Sequence, residues 1–367
     1  MKKILIVSTV SRQFYLFEQG NIEVLQSLGF EVHAAANFSD ASERLDCLNI
    51  IRHHFEIQRS PFSAKNIDAY KQLKILMKEE KFDAIHCHSP MGGVLARLAA
   101  MSLGITPVIY TAHGFHFYKG APYINWAVYY TVEKFLARYT DHLITINKED
   151  FNKAKGFKAG QVHYVPGIGI DIKNFSETQV SREEKRAELG ISEETFVLLS
   201  IGEMIKRKNH ETVLRALAKL EDHEYVYLIC GRGELESHLK DLTISLGIQE
   251  KVRFLGFRND IEEVCIASDV FVFPSYQEGL PVSVMEAMSA GLPVICSDIR
   301  GNNDLIENGV GGYLLNPEDT DGFAASIQTL LEDAQMRADM GMKNVDEVKK
   351  YDIRIVKEKM RELYREL

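Results

Sequence analysis

Short apolar runs rich in β-branched residues alternate with longer stretches of helical periodicity, and the alternation is run through twice along the chain. In the first pass Lys3 to Ser8, Val32 to Ala36, Asp83 to His88 and Val108 to Ala112 read as strands, with helices at Tyr15 to Leu28, Asn66 to Glu79 and Pro90 to Leu103 between them. A helix at Ile124 to Tyr139 and strands at His142 to Ile146 and Val162 to Val165 extend the series. Parallel neighbours need crossover connections, so this alternation calls for a parallel, doubly wound α/β sheet.

After Pro166-Gly167-Ile168-Gly169 the pattern lapses into a polar, charged stretch reaching about Glu194, where the interdomain connection is expected. The rhythm then restarts. Strands are expected at Phe196 to Ile201, Tyr225 to Cys230, Val252 to Leu255, Val270 to Phe273 and Val294 to Ser297. Helices are expected at His210 to Leu220, Glu234 to Leu246, Ile261 to Ala267, Val282 to Ala290 and Asp321 to Asp333. The expected fold is thus two facing Rossmann-like domains, 1–175 and 176–350, with a cleft between them. A last amphipathic helix, in 351–367, falls outside the repeat and is free to return to the first domain.

At 367 residues the chain suits two domains of this kind rather than one. No run approaches the roughly 18 uncharged residues of a membrane span, and Met1-Lys2-Lys3 leads straight into a strand, so a cytoplasmic location is expected. The five cysteines form no C-x-x-C pair and read as reduced, buried thiols. A net charge of -9 argues against general nucleic-acid binding. Residues 1–180 carry 20 basic and 17 acidic side chains and nine of the twelve histidines, and the remainder 23 and 35. A slightly basic first half suits an anionic lipid surface, with chance asymmetry an equal reading.

The segment Glu278 to Met288 carries the most chemistry. Val270 to Phe273 is a strand running into Pro274-Ser275, and a helix is expected from Pro281, since proline suits the first helical turn. Amides freed at such a helix start form a ready anion site. Glu278 stands before the turn and Glu286 inside the helix, where Ser283, Glu286 and Ser289 form one polar stripe. On periodicity alone the stripe faces water. The functional reading gives the amides a diphosphate, Glu286 a vicinal diol such as a ribose, and Glu278 another sugar.

Lys206-Arg207-Lys208 follows the first strand of the second half, a position that favours neutralising a diphosphate over a plain solvated charge run. Gly231-Arg232-Gly233 lacks the third glycine of a dinucleotide fingerprint and stands between a tight turn and a phosphate approach, with the turn favoured. His86 and His88 lie at period 2 on one strand face, resembling a metal half-site, but no third ligand stands at recognisable spacing. They read as a pair near the cleft rim. Asp319-Thr320-Asp321 opens a helix and reads as a cap. No metal is expected. His113 follows a strand end, where it serves either a sugar hydroxyl or the core. The aromatic stretch Tyr123, Trp126, Tyr129, Tyr130 and Phe135, with Lys119, Lys134 and Arg138, is either an interfacial patch or ordinary packing.

Taken together, Glu278-Gly279-Leu280-Pro281 with Glu286, the Gly231-Arg232-Gly233-Glu234 turn, Arg253-Phe254-Leu255-Gly256 and Thr111-Ala112-His113-Gly114 resemble the retaining glycosyltransferases of family 4, of GT-B architecture. His86 to Arg97 and the His113 to Pro122 loop resemble more closely the transferases that build bacterial exopolysaccharide or capsule. The resemblance implies a nucleotide sugar, with a UDP-sugar first in line, bound by the second domain. It places Glu286 on the ribose, Phe257 near the base, and Gly231 beside the phosphates. Lys208 and Arg207 neutralise the diphosphate. Glu278, with Gly279, Leu280, Pro281 and Val282, holds the donor sugar, and His113 contacts that sugar. It further implies a polyprenyl-diphosphate-linked glycan as acceptor and peripheral contact with the inner face of the membrane. Retention is expected by front-face attack, the leaving phosphate taking the acceptor's proton, without metal or carboxylate nucleophile.

Two positions depart from the family pattern. Glu203 stands where an arginine is frequent, with Arg207 or Lys206 as substitutes, and Thr9-Val10-Ser11-Arg12-Gln13 replaces a Gly-Gly loop. Two other functions fit the architecture: a nucleotide-sugar 2-epimerase and a non-catalytic sugar-nucleotide-binding subunit of a polysaccharide assembly.

Overall fold

Described at residues 1–220 and 223–367 in a computed structural model, the chain divides into two compact units, 1–169 with 353–367, and 170–352. The first unit holds strands β1 (Lys2–Val10), β2 (Phe30–Asn37), β3 (Ile51–His54), β4 (Ala84–His88), β5 (Val108–Ala112), β6 (His142–Thr145) and β7 (Gln161–Tyr164). They pair in parallel in the order β3-β2-β1-β4-β5-β6-β7. The second unit holds β8 (Phe196–Ile201), β9 (Tyr225–Cys230), β10 (Val252–Gly256), β11 (Val270–Phe273), β12 (Val294–Ser297) and β13 (Gly312–Leu315). These too are parallel, in the order β10-β9-β8-β11-β12-β13.

The strand order reverses once in each sheet, between β1 and β4 and between β8 and β11. Beyond the carboxyl ends of strands at such a switch point lies the crevice where open α/β sheets take ligands. Burial on both faces explains the near-continuous apolar runs of β5, β11 and β12. In β1 the alternation of side chains sends Leu5 and Val7 to one core and Ile4 and Ile6 to the other. The last helix, Ile353–Arg365, adds Val356, Met360, Leu363 and Tyr364 to the second of these cores, and Lys357 pairs with Glu23 at 2.6 Å. It therefore packs on the first unit.

Several elements differ from expectation for identifiable reasons. The edge strands β3 and β13 were not expected: they are short, and β3 reads Ile51-Arg52-His53-His54, polar because it lies at the edge. The polar stretch before Glu194 is not a bare connection. It contains the helix Arg182–Glu188, opened by a Ser181–Glu184 capping box. There buried Lys185 pairs with Glu188, Asp260 and Glu263, and buried Arg186 pairs with Asp269 and donates to four backbone carbonyls. Partners some 80 positions away neutralise charges that composition reads as solvent-facing. The helix expected from Tyr15 opens with a π turn, Phe14–Glu18, before Gln19–Ser27, and a second π turn, Trp126–Tyr130, interrupts the aromatic helix. Cys47 is exposed, against the expectation of five buried thiols; the other four are buried and all five are free. Among the described residues no helix is long and apolar enough to cross a membrane.

Candidate active site

In the second unit the candidate site residues collect at the switch point. β8 ends at Ile201, Gly202 follows, and the chain then makes a 3-10 turn, Lys206–Lys208, closed by Asn209 in the left-handed region at φ 56°. Asn209 is buried and donates to the carbonyls of Pro274 at 3.0 Å and Pro317 at 2.7 Å, tying the turn to the loop after β11. That loop is also held by Tyr276 N–H donating to Arg207 O at 2.9 Å. The result brings both cations onto one carboxylate: Glu278 Oε1 accepts from Arg207 Nη1 at 2.6 Å and from Lys208 Nζ at 2.8 Å. Lys208 Nζ lies 4.6 Å from the centre of the Phe273 ring, and its stem runs past Gly202. Burial lowers the Lys208 pKa, while Glu278 opposes the shift. A desolvated ammonium that shares a carboxylate can exchange that partner for another anion.

Arg300 completes the loop by donating from Nε and Nη2 to the Glu278 carbonyl at 3.1 and 3.0 Å. Its neighbour Gly301, at φ 86°, is required, because a Cβ there would stand 2.4 Å from Gly279 O. Arg300 was missed from sequence, since it reaches Glu278 through a loop 22 positions on.

Pro281 is extended, at φ -76° and ψ 122°, and caps the helix Val282–Ser289 rather than opening it. The first-turn amides after it lack intrahelical acceptors. The stripe Ser283, Glu286 and Ser289 is half-buried rather than solvent-facing. The Glu286 carboxyl makes no hydrogen bond or ion pair among the described residues, and burial, with Glu262 nearby, raises its pKa to about 7. Around this site Ser275 Oγ, Ser297 Oγ and Asn302 Oδ1 are buried without partners among the described residues, and burial lowers the His210 imidazole to about 4. Phe257 is 60% exposed just after β10, and Glu203 is exposed.

Gly231 is a backbone necessity: its Cβ would lie 1.9 Å from Gly202 O, and its N–H donates to Gly256 O at 2.7 Å. The turn reading accounts for it. Asp319 accepts from Gly322 N at 2.9 Å as the helix cap, and Asp321 pairs with Lys219.

The first unit has its own polar cluster at the β1/β4 switch point. Thr9 and Ser89 share a hydroxyl hydrogen bond of 2.7 Å across it. Beside them His86 and His88 are wholly buried, not at a rim, with ring centres 4.2 Å apart. His88 Nδ1 lies 3.1 Å from both Glu18 Oε1 and His113 Nε2. Glu18 also accepts from Asn21 at 2.7 Å and Gln13 at 3.0 Å, and Gln13 Nε2 stands 3.0 Å from His113 Nε2. Burial pushes the Glu18 carboxyl up to about 8 and the imidazoles of His86 and His113 down to about 3 and 4. Glu18, His86 and His88 present ligand atoms within 4.8 Å of one another, a third group that spacing did not reveal. Both nitrogens of His86 are engaged, however, with Tyr364 OH at 2.9 Å and Thr111 Oγ1 at 2.8 Å, so the cluster is a hydrogen-bond network. Glu18, Gln13 and Tyr364 were missed because no local pattern marks a residue buried by distant elements. Two adjoining hollows of about 250 and 300 Å³ border His113, His116, Tyr129, Arg12 and Arg59.

Residues 3–147 match the family described as Glycosyl transferase 4-like, and residues 181–345 match Glycosyl transferases group 1. A Bacillus subtilis (strain 168) protein named "Putative glycosyltransferase EpsD" is 36% identical over 99% of this chain and 96% of its own length. An Escherichia coli UDP-Gal:alpha-D-GlcNAc-diphosphoundecaprenol alpha-1,3-galactosyltransferase is 33% identical over 74% of each. Among solved structures, Anabaena Alr3699/HepE in complex with UDP and glucose superposes with a TM-score of 0.82 over 100% of both chains at 20% identity. The chain belongs to the glycosyl transferases group 1 family and is a glycosyltransferase of GT-B architecture.

Proposed function

We propose that the enzyme moves a sugar from a UDP-sugar to a polyprenyl-diphosphate-linked glycan in surface polysaccharide synthesis, with retention of configuration and without a metal ion. The observation that carries this reading is the convergence of Arg207 and Lys208 on Glu278 beside a capped helix start, at the switch point of the second sheet. When the donor arrives, the two cations and the amides following Pro281 take its diphosphate, and Glu278 is released to the hydroxyls of the donor sugar. Glu286, without a hydrogen-bond partner among the described residues, accepts from the ribose diol, and His113 hydrogen-bonds the transferred sugar. The acceptor hydroxyl attacks the anomeric carbon on the face that the diphosphate leaves, and a phosphate oxygen takes its proton. The C–O bond to the diphosphate breaks as the new glycosidic bond forms, and Lys208 stabilises the departing charge. The names of the Escherichia coli relative and the Anabaena complex support the choice of UDP and of a lipid-linked acceptor.

The acceptor side is assigned to the hollows of the first unit, where Arg12 and Arg59 supply positive charge and Tyr129 an aromatic wall. Next to them Tyr123, Ile124, Val128, Val132, Phe135 and Tyr139 are exposed at helical spacing, near Lys119, Lys134 and Arg138. An apolar stripe with flanking cations suits the interfacial layer of an anionic leaflet, where a cytoplasmic enzyme meets a lipid-linked acceptor.

The test is incubation with UDP-sugars, with and without a polyprenyl-diphosphate-linked acceptor, with products read by mass spectrometry and the new anomeric centre by NMR. An extended lipid-linked glycan of retained configuration is expected. Conversion of the donor to its 2-epimer, or no turnover with any donor, overturns the proposal.

A further inference from the structure

The buried network behind His113 has a direction. Gln13 Nε2 carries two hydrogens, and its two acceptors are Glu18 Oε1 and His113 Nε2, each at 3.0 Å. Oε1 keeps lone pairs for this in either protonation state of Glu18. His88 Nδ1 stands 3.1 Å from each of the same two atoms, and in its Nδ1–H tautomer it donates toward them. His113 Nε2 is therefore an acceptor, and the proton of a neutral His113 ring sits on Nδ1, which makes no hydrogen bond among the described residues. The side chain remains 25% exposed, while Glu18 and His88 are wholly buried.

Three further elements hold the same network. Asn21, one turn on, holds Oε2 at 2.7 Å. β4 supplies His88 and His86, and the last helix supplies Tyr364, whose hydroxyl meets His86 Nδ1 while Thr111 meets its Nε2. Lys357 and Met360 of that helix border the same narrow hollow as Glu18 and His113. Glu18 itself is delivered by the π turn Phe14–Glu18, a local widening of the helix that is common at functional sites. A fully buried carboxyl is costly to keep for packing alone. Here it terminates a chain of donors that ends on one ring.

We propose that Glu18 is a positioning residue for glycosyl transfer: through Gln13 and His88 it fixes the His113 ring with Nε2 accepting and Nδ1–H presented to the transferred sugar. The role rests on the reading of His113 as a sugar contact. A donor at that position suits a sugar hydroxyl oxygen, and a ring free to take the other tautomer would present a bare nitrogen there for part of the time.

Long-range ¹H–¹⁵N correlation on ¹⁵N-histidine-labelled full-length protein reads the tautomer directly. His113, assigned by loss of its signals in His113→Ala, is expected to carry its proton on Nδ1. Glu18→Leu, which removes the acceptor, is expected to mix the tautomers and lower kcat about 10²-fold with KM for the UDP-sugar changed less than about threefold. Glu18→Gln, which keeps an acceptor oxygen, is expected to restore both the tautomer and kcat to within about fivefold. A proton on Nε2 in the unaltered protein overturns the proposal, and does so even if Glu18→Leu fails to fold. So does a folded Glu18→Leu with unchanged tautomer and kcat. If His113→Ala transfers sugar at the full rate, the sugar contact falls instead, whatever the tautomer.

Discussion

Lys208 Nζ stands 2.8 Å from Glu278 Oε1, with Arg207 Nη1 at 2.6 Å on the same oxygen. One largely buried carboxylate thus holds two cations that a bound diphosphate would need. The pairing predicts strong coupling between Lys208→Ala and Glu278→Ala. Each alone is expected to lower melting temperature, because it leaves a partly desolvated charge short of a partner. The double variant is expected to be more stable than the two losses summed, by about 1 to 3 kcal/mol in a denaturant-based cycle. Simple additivity would show that the pair does not interact as described.

Glu286 gives the donor site a pH dependence. Its carboxyl is raised to about 7 by burial, and only the ionised form accepts from both hydroxyls of a diol. UDP affinity is expected to tighten as pH rises through about 7 and level off above it, while Glu286→Gln binds more weakly with that step removed. Calorimetric titration from pH 6 to 8 checks this. An unchanged step in Glu286→Gln assigns the titration elsewhere.

Folded stability should peak near pH 6.5. Free imidazole titrates at about 6.5, whereas His86, His113 and His210 are held down at about 3, 4 and 4, and His88 well below its usual value, all by burial. Their contribution is complete above about pH 6.5 and is lost as pH falls toward 4. Glu18 and Glu286 are raised to about 8 and 7, so their contribution is complete below about pH 4.5 and is lost as pH rises through those values. Thermal melts are expected to fall on both sides of about pH 6.5, with the alkaline fall reduced in Glu18→Gln. A melting temperature flat from pH 5 to 8 would contradict the burial of these groups as neutral species.

Ile124 and Phe135 are two of the exposed apolar residues on the aromatic helix of the first unit. Ile124→Asp with Phe135→Asp is expected to reduce co-sedimentation with vesicles containing anionic lipid about tenfold. The same loss should appear in the unaltered protein at high salt, in smaller measure. Equal binding by the double variant would move the membrane contact elsewhere.

The parallel sheets were legible because their strands are buried on both faces: Val108–Ala112, Phe196–Ile201, Tyr225–Cys230, Val270–Phe273 and Val294–Ser297 have the bounds that apolar runs alone give. The edge strands were not, since Ile51–His54 is largely exposed and carries little apolar signal. On the donor side Glu278, Glu286 and the Lys206–Lys208 turn stand in short contiguous motifs, and their positions at a strand end follow from the strands. That Arg207 and Lys208 pair with Glu278 did not follow, because the contact spans about 70 residues. Glu18 was invisible for a related reason. It lies in a helix that reads as ordinary, and only β4, the loop after β5 and the last helix, which supply His88, His113 and Tyr364 around it, give it a role.

The most direct test is the turnover of Lys208→Ala, measured as UDP released from the donor in the presence of acceptor and a chelator of divalent ions. Lys208 is the cation placed to stabilise the leaving diphosphate, so kcat is expected to fall about 10²- to 10³-fold with the fold retained, while the chelator leaves the unaltered enzyme unaffected. A variant that turns over within twofold of the unaltered enzyme, or an unaltered enzyme silenced by the chelator, would contradict the account.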